Sequence, residues 1–578
     1  TGTIAFSSDL YATAITNAGG NFALNLHGST TSVTNAVTFG TTGALALGNG
    51  SDTLTFTGGL VHTAGSTSVN GSITTSDTAL TLGTTSVAGN STLAAGSGTI
   101  TLGAATLADG VTLTLGTGGS GAVSLTSIAG TTGSTTSDVT INVTGAVTVS
   151  GTVATDIGTL TVTNSGGTTF SGAVGGSTDT IASLVLTATT GTIAFSSDLY
   201  ATAITNAGGN FALNLHGSTT SVTNAVTFGT TGALALGNGS DTLTFTGGLV
   251  HTAGATSVNG NVTTTNTALT LGTTSVAGNS TLAAGSGTIT LGAATLADNV
   301  TLTLGTGGSG GVSLTSIAGT AGSTASNVTI NVTGAVSVSG TIGTDIGTLT
   351  VTNSGGTTFS GAVGGSGNNI ASLVLTATTG TIAFSSDLYA TAITNSGGSF
   401  ALNLHGSTSS VTNAVTFGTS GALALGNGSD TITFTGGLVH TAGATSVNGN
   451  VTTTNTALTL GTTSVAGNST LAAGSGTITL GAATLADAVT LTIGTGGSGA
   501  VSLTSIAGTA GSTASNVTIN VTGAVTVSGT IGTDIGTLTV TNSGGTTFSG
   551  AVGASGDNIA SLVLTATTGT IAFSSDLY

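Results

Sequence analysis

Apolar and polar residues alternate one by one over short stretches of this chain. Alternation with a period of two is typical of a β-strand with one buried face. Pairs such as Asn49-Gly50 and Asn70-Gly71 separate the stretches and predict tight turns. No apolar spacing of 3.6 residues occurs, so we predict an all-β fold without helix. In the segment 1–189 the alternating stretches are TLTF (53–56), ALTL (79–82), TITL (99–102), TLTL (112–115), TINV (140–143), TLTV (159–162) and SLVL (183–186).

These stretches belong to a long internal repeat. The segment TGTIAFSSDLY marks its period, because it begins at Thr1, Thr190, Thr379 and Thr568. We predict one solenoid repeat in each nearly identical copy and interpret the chain as part of a longer, continuous rod. The predicted boundaries are 1–189, 190–378 and 379–567, with 568–578 as the start of a fourth repeat.

One copy divides into shorter units, and a longer unit holds three strand-like runs, as at 53–56, 59–63 and 72–75. Three short strands joined by turns are typical of one coil of a parallel β-helix, or β-solenoid. We therefore predict about eight coils per 189-residue repeat, with nine as the alternative. At ~4.8 Å between strands, eight coils would rise about 38 Å. An array of β-sandwich domains is the alternative fold, but the chain has no Pro, no Trp and no linker.

The alternation also predicts the direction in which side chains point. Apolar residues should stack inward from coil to coil, and threonines should form an outward ladder. The inward set is Leu54, Phe56, Leu80, Leu82, Ile100, Leu102, Ile141, Val143, Leu160, Val162, Leu184 and Leu186. The outward set is Thr53, Thr55, Thr81, Thr99, Thr101, Thr140, Thr159 and Thr161.

The composition excludes several classes of function. The chain has 17 acidic residues and no Lys or Arg, so it cannot neutralise phosphate and we predict no nucleic-acid binding. It has no Cys for disulfides or thiolate metal sites. The mean hydropathy of +0.51 argues against disorder, and no apolar run reaches the ~18 residues that span a bilayer. We predict no membrane insertion of this segment.

One motif suggests a cation site. LGNGSDTLTF (47–56) partly resembles the calcium-binding nonapeptide of RTX proteins, with Gly48, Gly50, Asp52 and Leu54 in register. In that family calcium lies between consecutive nonapeptides, whereas here the motif occurs once per copy. An Asn-Gly turn followed by a strand is the alternative. Calcium is the only cofactor that we consider, and its candidate ligands are Asp52, Asp241 and Asp430.

No pattern of residues indicates catalysis. Asp77 is replaced by Asn266 and Asn455 in the later copies, an exchange that a catalytic acid would not tolerate. We predict that such residues bond nearby backbone in turns. His27 and His62 lack a second ligand at metal spacing, and we predict both at the surface. We therefore predict a protein that is not an enzyme.

The segments TTFSGAVGG (168–176) and IASLVLTATTGTIAF (181–195) resemble the repeat units of giant bacterial surface adhesins. These include filamentous-haemagglutinin-like and autotransporter-passenger-like proteins. The resemblance implies a right-handed β-helix, secretion to the cell surface, and a role in adhesion or biofilm. It implies no catalytic residues.

Together these observations predict a structural extracellular filament or matrix protein at a bacterial surface. Its rods would associate end to end or laterally, because the surface carries little charge and few long side chains. One alternative is the stalk of an adhesin whose binding tip lies outside this segment. A minor alternative is an ice- or polysaccharide-binding solenoid that uses the outward threonine ladder.

Overall fold

The computed structural model describes residues 2–578, and none of these residues is helical. Short parallel strands stack in a β-solenoid of about 27 turns, with about 21 residues per turn. This confirms the predicted all-β parallel β-helix, while its handedness remains a prediction. The chain forms two compact units, Thr1–Gly287 and Thr288–Tyr578. Each unit is a stack of such coils, and the boundary between them lies inside the second copy of the repeat.

The strands of the first copy, and the two that open the second, show the pattern. They are β1 (Thr3–Phe6), β2 (Leu10–Ala12), β3 (Ala23–Leu26), β4 (Thr30–Val33), β5 (Val37–Thr38), β6 (Leu45–Phe56), β7 (Leu60–His62), β8 (Thr67–Thr75), β9 (Leu80–Leu82), β10 (Thr85–Val87), β11 (Ser91–Ala94), β12 (Ile100–Leu107), β13 (Thr112–Gly119), β14 (Val123–Gly130), β15 (Ser137–Val143), β16 (Val147–Val149), β17 (Val153–Ala154), β18 (Ile157–Thr163), β19 (Thr168–Phe170), β20 (Ile181–Thr187), β21 (Thr192–Phe195) and β22 (Leu199–Asn206).

The strands from β3 to β19 recur at equivalent positions of the second and third copies with equivalent bounds, apart from β17. At the position of β17 the later copies have only single bridges, at Ile342 and Ile531. The remaining strands are Ile370–Thr376, Thr381–Phe384, Tyr389–Asn395, Ser561–Thr565 and Ile571–Phe573. The repeat in sequence is therefore also a repeat in secondary structure.

Within Thr1–Gly287 the strands form three faces, each a column of strands joined by parallel backbone pairing. Face 1 begins with β1 and β3, face 2 with β2 and β4, and face 3 with β5 and β7. Most coils add one strand segment to every face; the first coil has no strand on face 3, and on face 1 Val174 forms a single bridge. The long strands β6, β8, β12 and β14 turn a corner, so their two halves belong to two faces. The N–H and C=O groups inside a coil are thus satisfied by its neighbours.

The core is a stack of inward Leu, Val, Ile and Phe side chains. Every residue predicted to point inward is buried, and every threonine predicted to point outward is exposed or half-exposed, as the alternation predicted. Phe170 and Phe195 stack with ring centroids 4.8 Å apart on adjacent coils of face 3. Burial depends on these neighbours: Ile4 in the first coil is 48% exposed, whereas its equivalent Ile193 is 0% exposed.

One copy of the repeat does not make a whole number of coils. Eight coil steps along face 1 lead from Ile4 to Val174, after which the chain reaches face 2 at Leu184 and face 3 at Ile193. Since Ile193 is the equivalent of Ile4, one copy makes eight and two-thirds coils, in line with the predicted eight or nine. At ~4.8 Å per coil its rise is about 42 Å. The column on face 1 runs through Ile4, Leu24, Leu45, Thr67, Thr85, Ala105, Ile128, Val153, Val174 and Leu199.

Equivalent residues of consecutive copies therefore lie on different faces. Leu199 continues face 1 next to Val174, although its equivalent Leu10 lies on face 2 in the first copy. The same step of one face occurs within the unit Thr288–Tyr578, where Leu388, another equivalent of Leu10, belongs to the column that corresponds to face 1. That column runs through Ile317, Ile342, Val363 and Leu388.

Glycines line the corner that precedes face 3, and they set how closely the coils approach. A Cβ added at Gly121 would overlap the carbonyl oxygen of Gly98, whereas a Cβ added at Gly50 would meet nothing within 4 Å. We expect Gly121→Ala to destabilise its coil by about 1–3 kcal/mol, since the backbone must move apart. Amide hydrogen exchange should show faster opening of β12 to β15. Gly50→Ala is the control, and equal exchange rates in both variants would contradict this account.

Candidate functional site

The candidate calcium ligand Asp52 lies at a corner of the coil, between the two halves of β6. Its Oδ2 accepts a hydrogen bond from the N–H of Asn49 at 2.9 Å, and the strand register shifts at this point. The side chain therefore closes the turn around Gly48, whose φ is +78°. In the later copies the same bond measures 2.8 Å. Those two bonds run from the Asn238 N–H to Asp241 Oδ2 and from the Asn427 N–H to Asp430 Oδ2.

Asp9 and His27 line the same open depression as Asp52. The Asp9 carboxylate accepts hydrogen bonds from the N–H of Thr30 and the hydroxyl of Ser29, both at 2.9 Å. These bonds, that of Thr30 foremost, lower the pKa of Asp9. Among residues 2–578 no group of three His, Cys, Asp or Glu side chains could hold a metal ion. Calcium binding at Asp52, Asp241 and Asp430 therefore remains a prediction, which would rest on backbone oxygens and water for the other ligands.

Acidic residues that become Asn in other copies serve as hydrogen-bond acceptors for the next coil. Asp138 Oδ1 accepts from the N–H of Thr159 at 2.8 Å, and Asn327 Oδ1 accepts from that of Thr348 at 2.9 Å. The third copy repeats the bond with Asn516. A carboxylate and an amide oxygen both accept this bond, which explains the exchange. These residues bond backbone as predicted, but Asp138 lies in β15 and not in a turn, and its partner belongs to the next coil.

The bonds to backbone N–H groups also shift the acidity of carboxylates in the turns. The pKa of Asp77 is lowered, first by the backbone N–H of Ser97. The pKa of Asp109 is lowered, first by the backbone N–H of Thr135. Each bond connects one coil to the next, since the partners lie 20 and 26 residues apart. The acidic side chains therefore contribute to the stacking of the coils.

The prediction that His62 lies at the surface is wrong. His62 ends β7, points inward and is 0% exposed. Its Nδ1 lies 2.8 Å from Thr67 Oγ1, and its Nε2 lies 3.2 Å from the carbonyl oxygen of Thr41. The run GLVHT (59–63) indicates this burial, because His62 lies two residues after the inward Leu60 and so points to the same side of the strand. His27, by contrast, is half-exposed.

Burial lowers the pKa of His62 and of its equivalents His251 and His440, more than the bond to the backbone carbonyl raises it. These side chains are therefore neutral in the folded chain near pH 7, and they act as core polar groups with both nitrogens paired. They supply a pH-sensitive element of stability.

The outer side of face 2 in the unit Thr1–Gly287 carries rows of polar side chains. Two or three outward residues per coil line it from β13 to β20, for example Thr159, Thr161 and Thr163 on β18. We call its central column the hydroxyl ladder. In register from coil to coil it consists of Thr30, Thr53, Ser72, Thr92, Thr114, Thr140 and Thr161.

Comparisons with protein-family models, with curated proteins and with solved structures found no match to the chain. The resemblance to bacterial surface adhesins therefore rests on the style of the repeat. Within the described part of the chain, no helix is long and apolar enough to cross a membrane. The fold and the surface chemistry are the basis for any statement of function.

We expect Asp138→Asn to leave stability unchanged, since Asn occupies this position in the other copies and keeps the acceptor. Asp138→Ala should destabilise the coil by about 1 kcal/mol, because the N–H of Thr159 loses its partner. Hydrogen exchange at Thr159 measures this directly. Equal exchange in the Asn and Ala variants would show that the bond contributes nothing.

Acidification should destabilise the chain through the buried histidines. Their folded pKa lies below the ordinary value of 6.5, so below that pH the unfolded chain binds protons that the folded chain does not. The unfolding temperature should fall by a few degrees between pH 7.5 and pH 5, before the carboxylates titrate.

A variant in which all three buried histidines are replaced by Gln should lose most of this pH dependence. The control replaces the other three histidines, His27, His216 and His405, with Gln, and should behave like the unmodified chain. Circular dichroism melts at both pH values make the comparison. If both variants kept the full pH dependence, the buried histidines would not be its source.

Proposed function

We propose that this chain is a segment of a structural extracellular filament or matrix protein, built of stacked β-solenoid coils, at a bacterial surface. The observation that carries the proposal is what the polar side chains contact. The Asp and Asn residues described above bond the backbone of neighbouring coils, while many outward positions are Thr and Ser, which carry no charge. These polar side chains stabilise the stacking of the coils and do not form an arrangement typical of an active site, so we propose no catalytic role.

The charge of the chain supports association with other copies. The net charge of −17 is spread over 578 residues. At a Debye length of ~8 Å in physiological salt, such sparse charges repel weakly. Outward Thr and Ser also have little rotamer freedom to lose in a contact. Lateral contacts between solenoids therefore face a low electrostatic and entropic barrier.

Durability outside the cell also agrees with the proposal. The chain has no Lys or Arg, so trypsin-like proteases find no cleavage site, and no Met or Cys, the main targets of oxidation. The resemblance of 168–176 and 181–195 to adhesin repeats favours a bacterial surface location. The same resemblance favours the stalk of an adhesin as the second candidate, in which the solenoid would hold a binding tip away from the cell.

Cryo-electron microscopy of the purified chain in physiological salt tests the proposal. We expect lateral or end-to-end assemblies with ~4.8 Å strand spacing along the axis. A weaker modulation at about 42 Å should arise from the repeat copy, given eight and two-thirds coils at that spacing. Isolated particles at every concentration would contradict the filament proposal and would favour the stalk.

A further inference from the structure

The hydroxyl ladder changes face from one copy to the next. In the first copy it lies on face 2 and continues through Val185 to Thr205. The ladder of the second copy lies on the continuation of face 1, because the strand beginning at Leu199 belongs to that column. Its members within the same unit are Thr219, Thr242, Asn261 and Thr281.

The spacing of the ladder matches that of a second copy of this chain. Its hydroxyls repeat with the coil, at about 4.8 Å, and a second solenoid of this chain repeats at the same distance. Each hydroxyl both donates and accepts, so two ladders can bond without any complementary chemistry. The side chains of Thr55 and Thr74 on adjacent coils of face 2 already interact in this way, with their hydroxyl oxygens 3.1 Å apart.

Few charges lie beside the ladder, so charge opposes such a contact only weakly. Asp9 accepts a hydrogen bond from the N–H of Thr30 at the first ladder position, and Asp138 pairs in register with Thr112 and Thr159. In the other copies this position holds Asn327 and Asn516, so their ladders have no charge there. Like charges that face each other across an interface would otherwise weaken it.

The area of one ladder favours weak contacts that add up. A strip of nine coils and about four residues in width covers roughly 500–600 Å² at ~4.8 Å and ~3.3 Å spacing. Two such strips bury about 1,100 Å², near the lower limit for a specific interface. One ladder therefore gives a weak contact, and several together give a stable assembly.

We infer that the hydroxyl ladder is the surface by which this chain binds further copies of itself, and that consecutive copies of the repeat engage different neighbours. Because each copy turns the ladder by one face, two chains cannot satisfy all of their ladders against each other. The contacts remain open to additional chains, which produces a network in place of a closed pair. This inference rests on the proposed structural function and adds the surface and the geometry of association.

The test uses the full chain with charges placed on the ladder of every copy. The ladder variant carries Thr114→Asp and Thr161→Asp, which are separated by one intervening coil, and the equivalent changes at Thr303, Thr350, Thr492 and Thr539. The control variant carries Thr101→Asp and Thr148→Asp on face 3, with the same separation, and the equivalent changes at Thr290, Ser337, Thr479 and Thr526. Circular dichroism melts establish that both variants fold. Gln replaces Asp at the same positions if the charges disturb folding.

Sedimentation velocity over a concentration series in physiological salt is the measurement. We expect the unmodified chain and the control to assemble at similar concentrations, and the ladder variant to require at least a tenfold higher concentration. Images of the assemblies should show neighbours on more than one face of a solenoid.

Three outcomes would overturn the inference. Equal shifts in the ladder and control variants would show that the ladder is not the contact surface, and the filament proposal would stand. Thermal hysteresis or glycan binding that the ladder variant loses, with sedimentation unchanged, would assign the ladder to ice or polysaccharide. An unmodified chain that stays monomeric throughout would contradict the filament proposal itself.

Discussion

Parallel backbone pairing between consecutive coils is the interaction on which the rest of this structure depends. No coil can satisfy its own N–H and C=O groups or cover its own apolar side chains. The difference between Ile4 and Ile193, one largely exposed and the other fully buried, shows what a neighbouring coil supplies. The corners serve the same requirement: glycines such as Gly121 allow the backbones to approach, and Asp or Asn side chains bond to N–H groups of the next coil. Stability in such a stack is therefore a sum of local interfaces.

The same constraint explains why the sequence period and the coil period can differ. Pairing requires that each strand segment meet a segment of suitable length and inward character. It does not require that the segment be identical. Thr168 of face 3 therefore pairs with Ile193 as readily as Leu60 pairs with Leu80. A copy of eight and two-thirds coils costs nothing in pairing, and it distributes each surface feature over the faces in turn.

Much of the fold could be predicted from the sequence, because the alternation of Leu54, Leu80 or Leu160 with threonine is a local property. The corners between the strands are harder to predict from the sequence. Their lengths vary, so the number of coils per copy could be given only as eight or nine, and the remainder of two-thirds of a coil could not be seen without the register. The prediction for His62 is wrong because a polar residue type favours the surface, whereas the position of His62 two residues after Leu60 decides its burial. For the same reason the sequence did not predict the burial of the inward threonines, such as Thr67 and Thr85.

The candidate site was predictable only in part, since a turn and a cation site use the same residues. Oδ2 of Asp52 accepts a hydrogen bond from the N–H of Asn49, as an Asx side chain does in a turn. The other carboxylate oxygen, Oδ1, takes no part in that bond. At Asp138 the other copies show that the hydrogen bond matters and the charge does not, because Asn327 and Asn516 keep the bond without the charge. Asp52 stays Asp in all three copies. Asp109 is likewise Asp in all three copies, and its hydrogen bonds to backbone N–H groups account for it, so retention of the carboxylate does not by itself distinguish a cation site from a turn.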